Sequence, residues 1–180
     1  MRDLTKRQQT CCRGIHNAEL EERMAKATPF LTRPGEGPYF WNHDHLVRFA
    51  ATGSQTDGRF WLAELLSPQG SSGPLHRHSR EDETFMVVDG EIAVRVGDQT
   101  LELGPGDIAY NPRGVPHSWD AKSQARFFIM GTPAGFEDYF FEFCPRIPDP
   151  SAVPPAGWDE QEPDRDAATA ALAKYGAELL

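Results

Sequence analysis

Apolar and polar positions change texture along the chain. From about Tyr39 to Thr132, short β-branched and aromatic runs are punctuated by Gly, Pro and Asp. They predict strands at Leu46–Ala51, Arg59–Leu66, Glu83–Val88, Glu91–Val96, Gln99–Leu103, Asp107–Asn111 and Arg126–Thr132. Strands this short and evenly spaced favour a sandwich or a barrel. Asp89-Gly90 predicts a hairpin through a turn with positive φ at both central residues, and Gly97-Asp98 a second tight turn. After the last strand, Phe136, Tyr139, Phe140 and Phe143 recur at helical spacing, so Gly135–Phe143 is expected to pack a short helix onto the β body.

The flanks differ. Residues 1–28 form a polar arm in which Ala18–Ala27 consists of good helix formers. The six prolines within 144–164 predict an extended strap. Residues 165–180 read as an amphipathic terminal helix with Ala168, Leu172, Tyr175 and Leu179 on one stripe. The β-rich stretch, residues 39–143, is the single domain expected, and the absence of an internal repeat excludes a duplicated barrel.

Composition narrows the partners. The chain has 180 residues, and 27 acidic against 18 basic side chains leave a net charge of −9, opposite to what phosphate neutralisation needs. Neither nucleic acid nor an anionic membrane surface is therefore expected. No apolar run approaches the ~18 residues of a membrane span, and the first residues hold no apolar stretch, so a cytoplasmic location is expected. Cys11, Cys12 and Cys144 suggest no disulfide framework and no base beside a thiol, and are taken as bystanders.

His76 and His78 are one residue apart, which on a strand puts both imidazoles on one face. Glu83 follows at an odd separation, so Ser79–Asp82 must turn or bulge if it is to join them. His117 lies beyond the Pro-rich segment Asn111–Pro116. Three imidazoles and one carboxylate suit Fe, Mn, Ni, Co, Cu or Zn as one divalent ion per chain. His43-Asp44-His45 repeats the spacing but lacks a trailing Glu and a distal His, so these histidines are expected at a surface or strand end; His16 is a bystander. Glu81 and Asp82 are expected in a solvated turn, although Glu81 shares the parity of Glu83.

The same residues carry a family resemblance. Gly70-SSGPL-His76-Arg77-His78-SRED-Glu83-TFMVVD-Gly90 resembles the first cupin motif at every fixed position. Gly106-DIAYN-Pro112-Arg113-Gly114-VP-His117 resembles the second, with Ala121 where an Asn often follows. The resemblance covers residues 39–143. It implies an all-β fold, the cupin jelly-roll antiparallel β-barrel with peripheral helices at the termini, and a homodimer as the usual assembly. It also carries over His76, His78, Glu83 and His117 as metal ligands.

Four protein ligands leave one or two coordination positions open, as catalysis requires. By strand parity, Phe85 and Val87 share the face of Glu83 and Trp119 that of His117, so these should line a pocket with Phe136 and Phe140. An apolar lining favours a small, flat, aromatic or enolic substrate. The lead-in GPYFWN, PLHRHSREDETF and GTPAGFEDYFFEF resemble the single-domain bacterial quercetin-dioxygenase-like cupins. That resemblance implies a non-heme metal-dependent dioxygenase, an oxidoreductase of the quercetin 2,3-dioxygenase type, taking dioxygen and using Glu83 as ligand and catalytic base. A non-oxidative metal-dependent cyclase, isomerase or decarboxylase of natural-product metabolism is the alternative, and a ligand-binding or regulatory cupin the third reading.

Overall fold

The computed structural model describes residues 28–148 and 165–180. The arm with its Ala18–Ala27 helix, up to residue 27, and the strap from residue 149 lie outside the described residues.

Alternation along the strands builds two facing layers. On β10 (Ala125–Thr132) every second residue is buried, and Phe127 and Ile129 point to the same side as Phe85 and Val87 of β5 (Asp82–Asp89). One sheet runs β11 (Arg146–Ile147), β1 (Tyr39–Asn42), β2 (His45–Ala51), β3 (Trp61–Ser67), β10, β5, β8 (Ile108–Asn111). The other runs β12 (Ala177–Leu179), β4 (Ser72–His78), β9 (His117–Ala121), β6 (Ile92–Val96), β7 (Gln99–Leu103). All pairings are antiparallel. The result is a jelly-roll sandwich rather than a closed barrel, with one apolar core between the sheets that includes Phe49, Phe85, Val94, Trp119 and Phe127. Burying each such aromatic contributes about 2–3 kcal/mol.

Two turns separate expectation from structure. Gly97-Asp98 does close a hairpin, with Val96 opposite Gln99. Asp89-Gly90 does not: β5 and β6 belong to different sheets, and of the two turn residues only Gly90 has positive φ. The dipeptide carries the chain across the sandwich, a long-range choice that local turn chemistry does not encode.

Three helices are described. α1 (Gly53–Thr56) is a single turn, α2 (Glu137–Phe143) follows the last long strand, and α3 (Arg165–Lys174) precedes the C-terminus. Phe136, Tyr139 and Phe140 pack on the core as expected, whereas Phe143 is half exposed beside Tyr175. The terminal helix is shorter than expected. It ends at Lys174, and Ala177, Glu178 and Leu179 pair as β12 with His78, Arg77 and His76 of β4. The unpaired edge of β4 offers backbone donors and acceptors that a helix could not satisfy. Leu172 and Tyr175 of the expected stripe do pack on the core, while the side chain of Ala168 lies outside the described ones. Among the described residues no helix is long and apolar enough to cross a membrane.

Candidate metal centre and its cavity

Both sheets contribute to the centre. His76 and His78 share one face of β4, His117 opens β9 directly opposite His76, and Glu83 reaches in from β5 across the sandwich. The link Ser79–Glu81 between β4 and β5 supplies the turn that the odd spacing demanded. Two close approaches shape the surroundings. A Cβ at Gly73 would meet the indole of Trp119 at 2.2 Å, and one at Gly131 would meet that of Trp61 at 2.2 Å, so both tryptophans lie flat on bare backbone.

The ligand atoms converge. His76 Nε2 lies 3.0 Å from His78 Nε2, His117 Nε2 is 3.1 Å from Glu83 Oε2, and His78 Nε2 is 3.3 Å from Glu83 Oε1. One such atom from each residue lies within 4.8 Å of all the others. Ligands held about 2.0–2.2 Å from one ion at right angles stand about 3 Å apart, so the cluster has the spacing of a coordination sphere.

The opposite ring nitrogens say why. His76 Nδ1 lies 2.7 Å from the Pro74 carbonyl and His117 Nδ1 3.1 Å from that of Val115. Nδ1 therefore carries the proton and donates it, leaving Nε2 bare. His78 Nδ1 is 3.2 Å from Glu81 Oε1, and neither atom has a hydrogen-bond partner among the described residues. Three lone pairs and a carboxylate thus face one point inside the protein, an arrangement that a cation relieves. Asn111, directly across from Glu83 in the β5–β8 ladder, is buried with both amide atoms unpartnered among the described residues. A water held at an open coordination position is the kind of group that would satisfy it. The residues present fit a bound first-row divalent ion.

Electrostatics agree. Burial pulls the His76 imidazole down to about 4, and lowers His78 as well, so both stay neutral and able to ligate. Burial opposes ionisation of Glu83, but the surrounding His78, His117 and His76 overcome it and hold the carboxyl at about 2. Burial also opposes charge on His117, yet the adjacent Glu83 carboxylate raises it.

Glu81 corrects the sequence reading. It is 3 % exposed rather than solvated, because its carboxylate turns inward to accept from Trp61 Nε1 at 3.1 Å and to face His78. Burial and the neighbouring Glu83 push its carboxyl up to about 9. Its shared parity with Glu83 was the only sequence signal. Asn111 and Trp61 carried none beyond strand membership.

The centre opens onto a cavity of about 640 Å³. Phe85, Trp119, Phe136 and Phe140 line it, with His76 and Glu83 at one end. Val87 does not line it; two residues further along β5, opposite Phe127, it is sealed in the core. Leu179 and Leu180 of the C-terminal segment join the lining. The Asn42–His45 turn lines it as well, at the strand end where these histidines were expected. His43 is exposed at the turn, but His45 is 2 % exposed, edge-on to Trp119 with ring centroids 5.0 Å apart.

Comparison with known proteins converges on the same class. Residues 63–131 match the cupin domain family. The chain is 31% identical over 124 residues, 68% of its length, to quercetin 2,3-dioxygenase of Bacillus subtilis. It spans only 37% of that protein. Among solved structures, an RmlC-like cupin from Shewanella frigidimarina matches 63% of the chain and 98% of its own length, with a TM-score of 0.55 at 17% identity. Oxalate decarboxylase of Bacillus subtilis matches 59% of the chain and 29% of its own length, with a TM-score of 0.52 at 21% identity. Both structural likenesses speak for the fold. The chain therefore carries a cupin domain over residues 63–131, with a His/Glu cluster able to hold a metal ion.

Proposed function

We propose that the protein is a metal-dependent dioxygenase of a small aromatic or enolic substrate, similar to quercetin 2,3-dioxygenase. The observation that carries this reading is an open four-ligand cluster at one end of a largely apolar, aromatic-lined cavity. The 31% identity to the Bacillus subtilis enzyme supports it, within the limit that the chain spans about a third of that protein. His76, His78, Glu83 and His117 would hold the ion, which when bound supplies Lewis-acid and redox chemistry at the open positions. The chain supplies the rest. Phe85, Trp119, Phe136 and Phe140 grip a flat ring and exclude water. Glu83, ionised at neutral pH, would take the proton of an enolic hydroxyl whose acidity a bound ion would raise. Asn111 beside it orients whatever polar group occupies the open face.

Metal analysis of the purified protein, followed by oxygen-uptake assays with flavonols and other enolisable aromatics, tests this. Metal-dependent oxygen consumption is expected; full turnover without oxygen would overturn the reading. Such turnover would instead favour a non-oxidative cyclase, isomerase or decarboxylase. That alternative is favoured by one observation: the ligand set does not require a redox-active ion. A ligand-binding or regulatory cupin would bind without turnover. The homodimer and the cytoplasmic location expected from the sequence belong to the same proposal. Light scattering of the protein in solution and fractionation of the source cells check them.

A further inference from the structure

The cavity has two polar ends. In the ladder, Glu83 pairs with Gly131 and Gly131 with Trp61, whereas Leu46, next to His45, pairs with Leu66. Trp61 and Leu66 are five residues apart on β3, so the ends are separated by about 17 Å along the backbone at ~3.4 Å per residue. Between them the wall is apolar, with Val47, Ala63, Leu65 and Ile129 joining the aromatics.

The far end is a built polar group. Asp44 Oδ1 lies 3.0 Å from His45 Nδ1, and Ser71 Oγ, just before β4, stands 3.4 Å from the Asp44 carbonyl. Burial lowers the basicity of His45, so the ring is neutral. With its one proton on Nδ1 donated to Asp44, Nε2 is left as an acceptor. Its neighbour is Asn42 Nδ2 at 3.4 Å, too long to be a strong hydrogen bond. A buried acceptor and an amide donor thus stand side by side at the end of an apolar cavity. A hydroxyl can bridge them, donating to Nε2 and accepting from Nδ2. A carboxylate cannot, because Nε2 offers no proton and Asp44 adds negative charge.

We infer that Asn42 and His45 form a second binding subsite that takes a hydroxyl at the far end of an elongated aromatic substrate whose other end lies at the metal centre. This subsite rests on the proposed reading of the cavity as the substrate pocket. It deepens that reading, because the substrate class becomes a two-ended, hydroxylated aromatic.

The test is titration calorimetry of the zinc-loaded protein with 4,4′-dihydroxybiphenyl and with 4-hydroxybiphenyl, which differ by the distal hydroxyl alone. The dihydroxy compound should bind roughly tenfold more tightly, as one bridging hydroxyl with two hydrogen bonds allows. His45→Ala should abolish the difference. Asn42→Ala, on a partly exposed side chain, should reduce it several-fold. Equal affinity for the two compounds, absence of binding, or a difference that survives in Asn42→Ala and in His45→Ala or His45→Gln would each overturn the subsite. Failure of the dioxygenase reading would appear separately, as absence of oxygen uptake with the tenfold preference intact.

Discussion

His76-Arg77-His78 and His43-Asp44-His45 have the same spacing and face the same cavity, yet they do different work. The first lies within β4, where alternation sends both rings to one side and the register brings them against His117, with Glu83 completing the set from the facing sheet. The second lies at the β1–β2 turn, where His43 has φ 54° and the strand rule fails. Only His45 turns inward, and its carboxylate partner is the residue between the two histidines. Spacing makes a ligand pair only where the backbone is extended and a third and fourth donor converge.

The sharpest way to break this contrast is to exchange the losses. His78→Ala should lower metal affinity by more than roughly 100-fold and abolish turnover, since a ligand counts for more than the groups that orient it. His45→Ala should leave the metal content of the purified protein unchanged. Equal metal loss in both variants, read by elemental analysis, would refute the division of roles.

Next in size is Glu81, which has a counterpart in Asp44: each carboxyl group faces the Nδ1 of a buried histidine. Glu81→Ala should weaken metal binding by about 10- to 100-fold in a chelator competition, and Glu81→Gln should restore much of it because its amide still faces Nδ1. If Gln and Ala behave alike, the contact to His78 is not what matters.

Trp119 lies between the two segments, so displacing it disturbs both. Gly73→Ala puts a methyl into its indole and should cost about 1–3 kcal/mol in denaturant unfolding, with the distal histidine edge lost as well. An unchanged midpoint would mean that the ring shifts without penalty.

The smallest effect concerns the loop that delivers His117. Asp82 accepts from the Arg113 backbone N–H and side chain, and these hydrogen bonds hold its carboxyl at about 2. A folded value below the unfolded one makes the pair stabilising above about pH 4, and that contribution is lost as pH falls towards 2. Asp82→Asn should remove roughly 0.5–1 kcal/mol at pH 7 and flatten stability between pH 4 and 2. A wild-type pH profile in the variant would sink this assignment.

Much of this was legible in the sequence. Seven strands, the aromatic helix after β10 and the clustering of His76, His78, Glu83 and His117 follow from alternation and motif spacing, because those features are local or carried by fixed intervals. Other features were not. Glu81 looked like a turn carboxylate because its burial depends on Trp61, twenty residues earlier in the chain. The Asp89-Gly90 turn joins strands of different sheets because the sandwich, not the turn, chooses partners. The last residues looked helical because Leu179 falls on the helical stripe, while the edge of β4 claims them as a strand.

The sequence by itself determined a strand-rich acidic chain and a set of donors suited to one divalent ion. Strand parity and residue chemistry are written residue by residue, so they can be read that way. Tertiary structure alone decided that the metal end faces a second polar end some strand-length away, that Val87 is core and not lining, and that a carboxylate stands behind His78. Each of these depends on which residues the two sheets bring face to face, and that pairing spans distances along the chain over which no local preference acts.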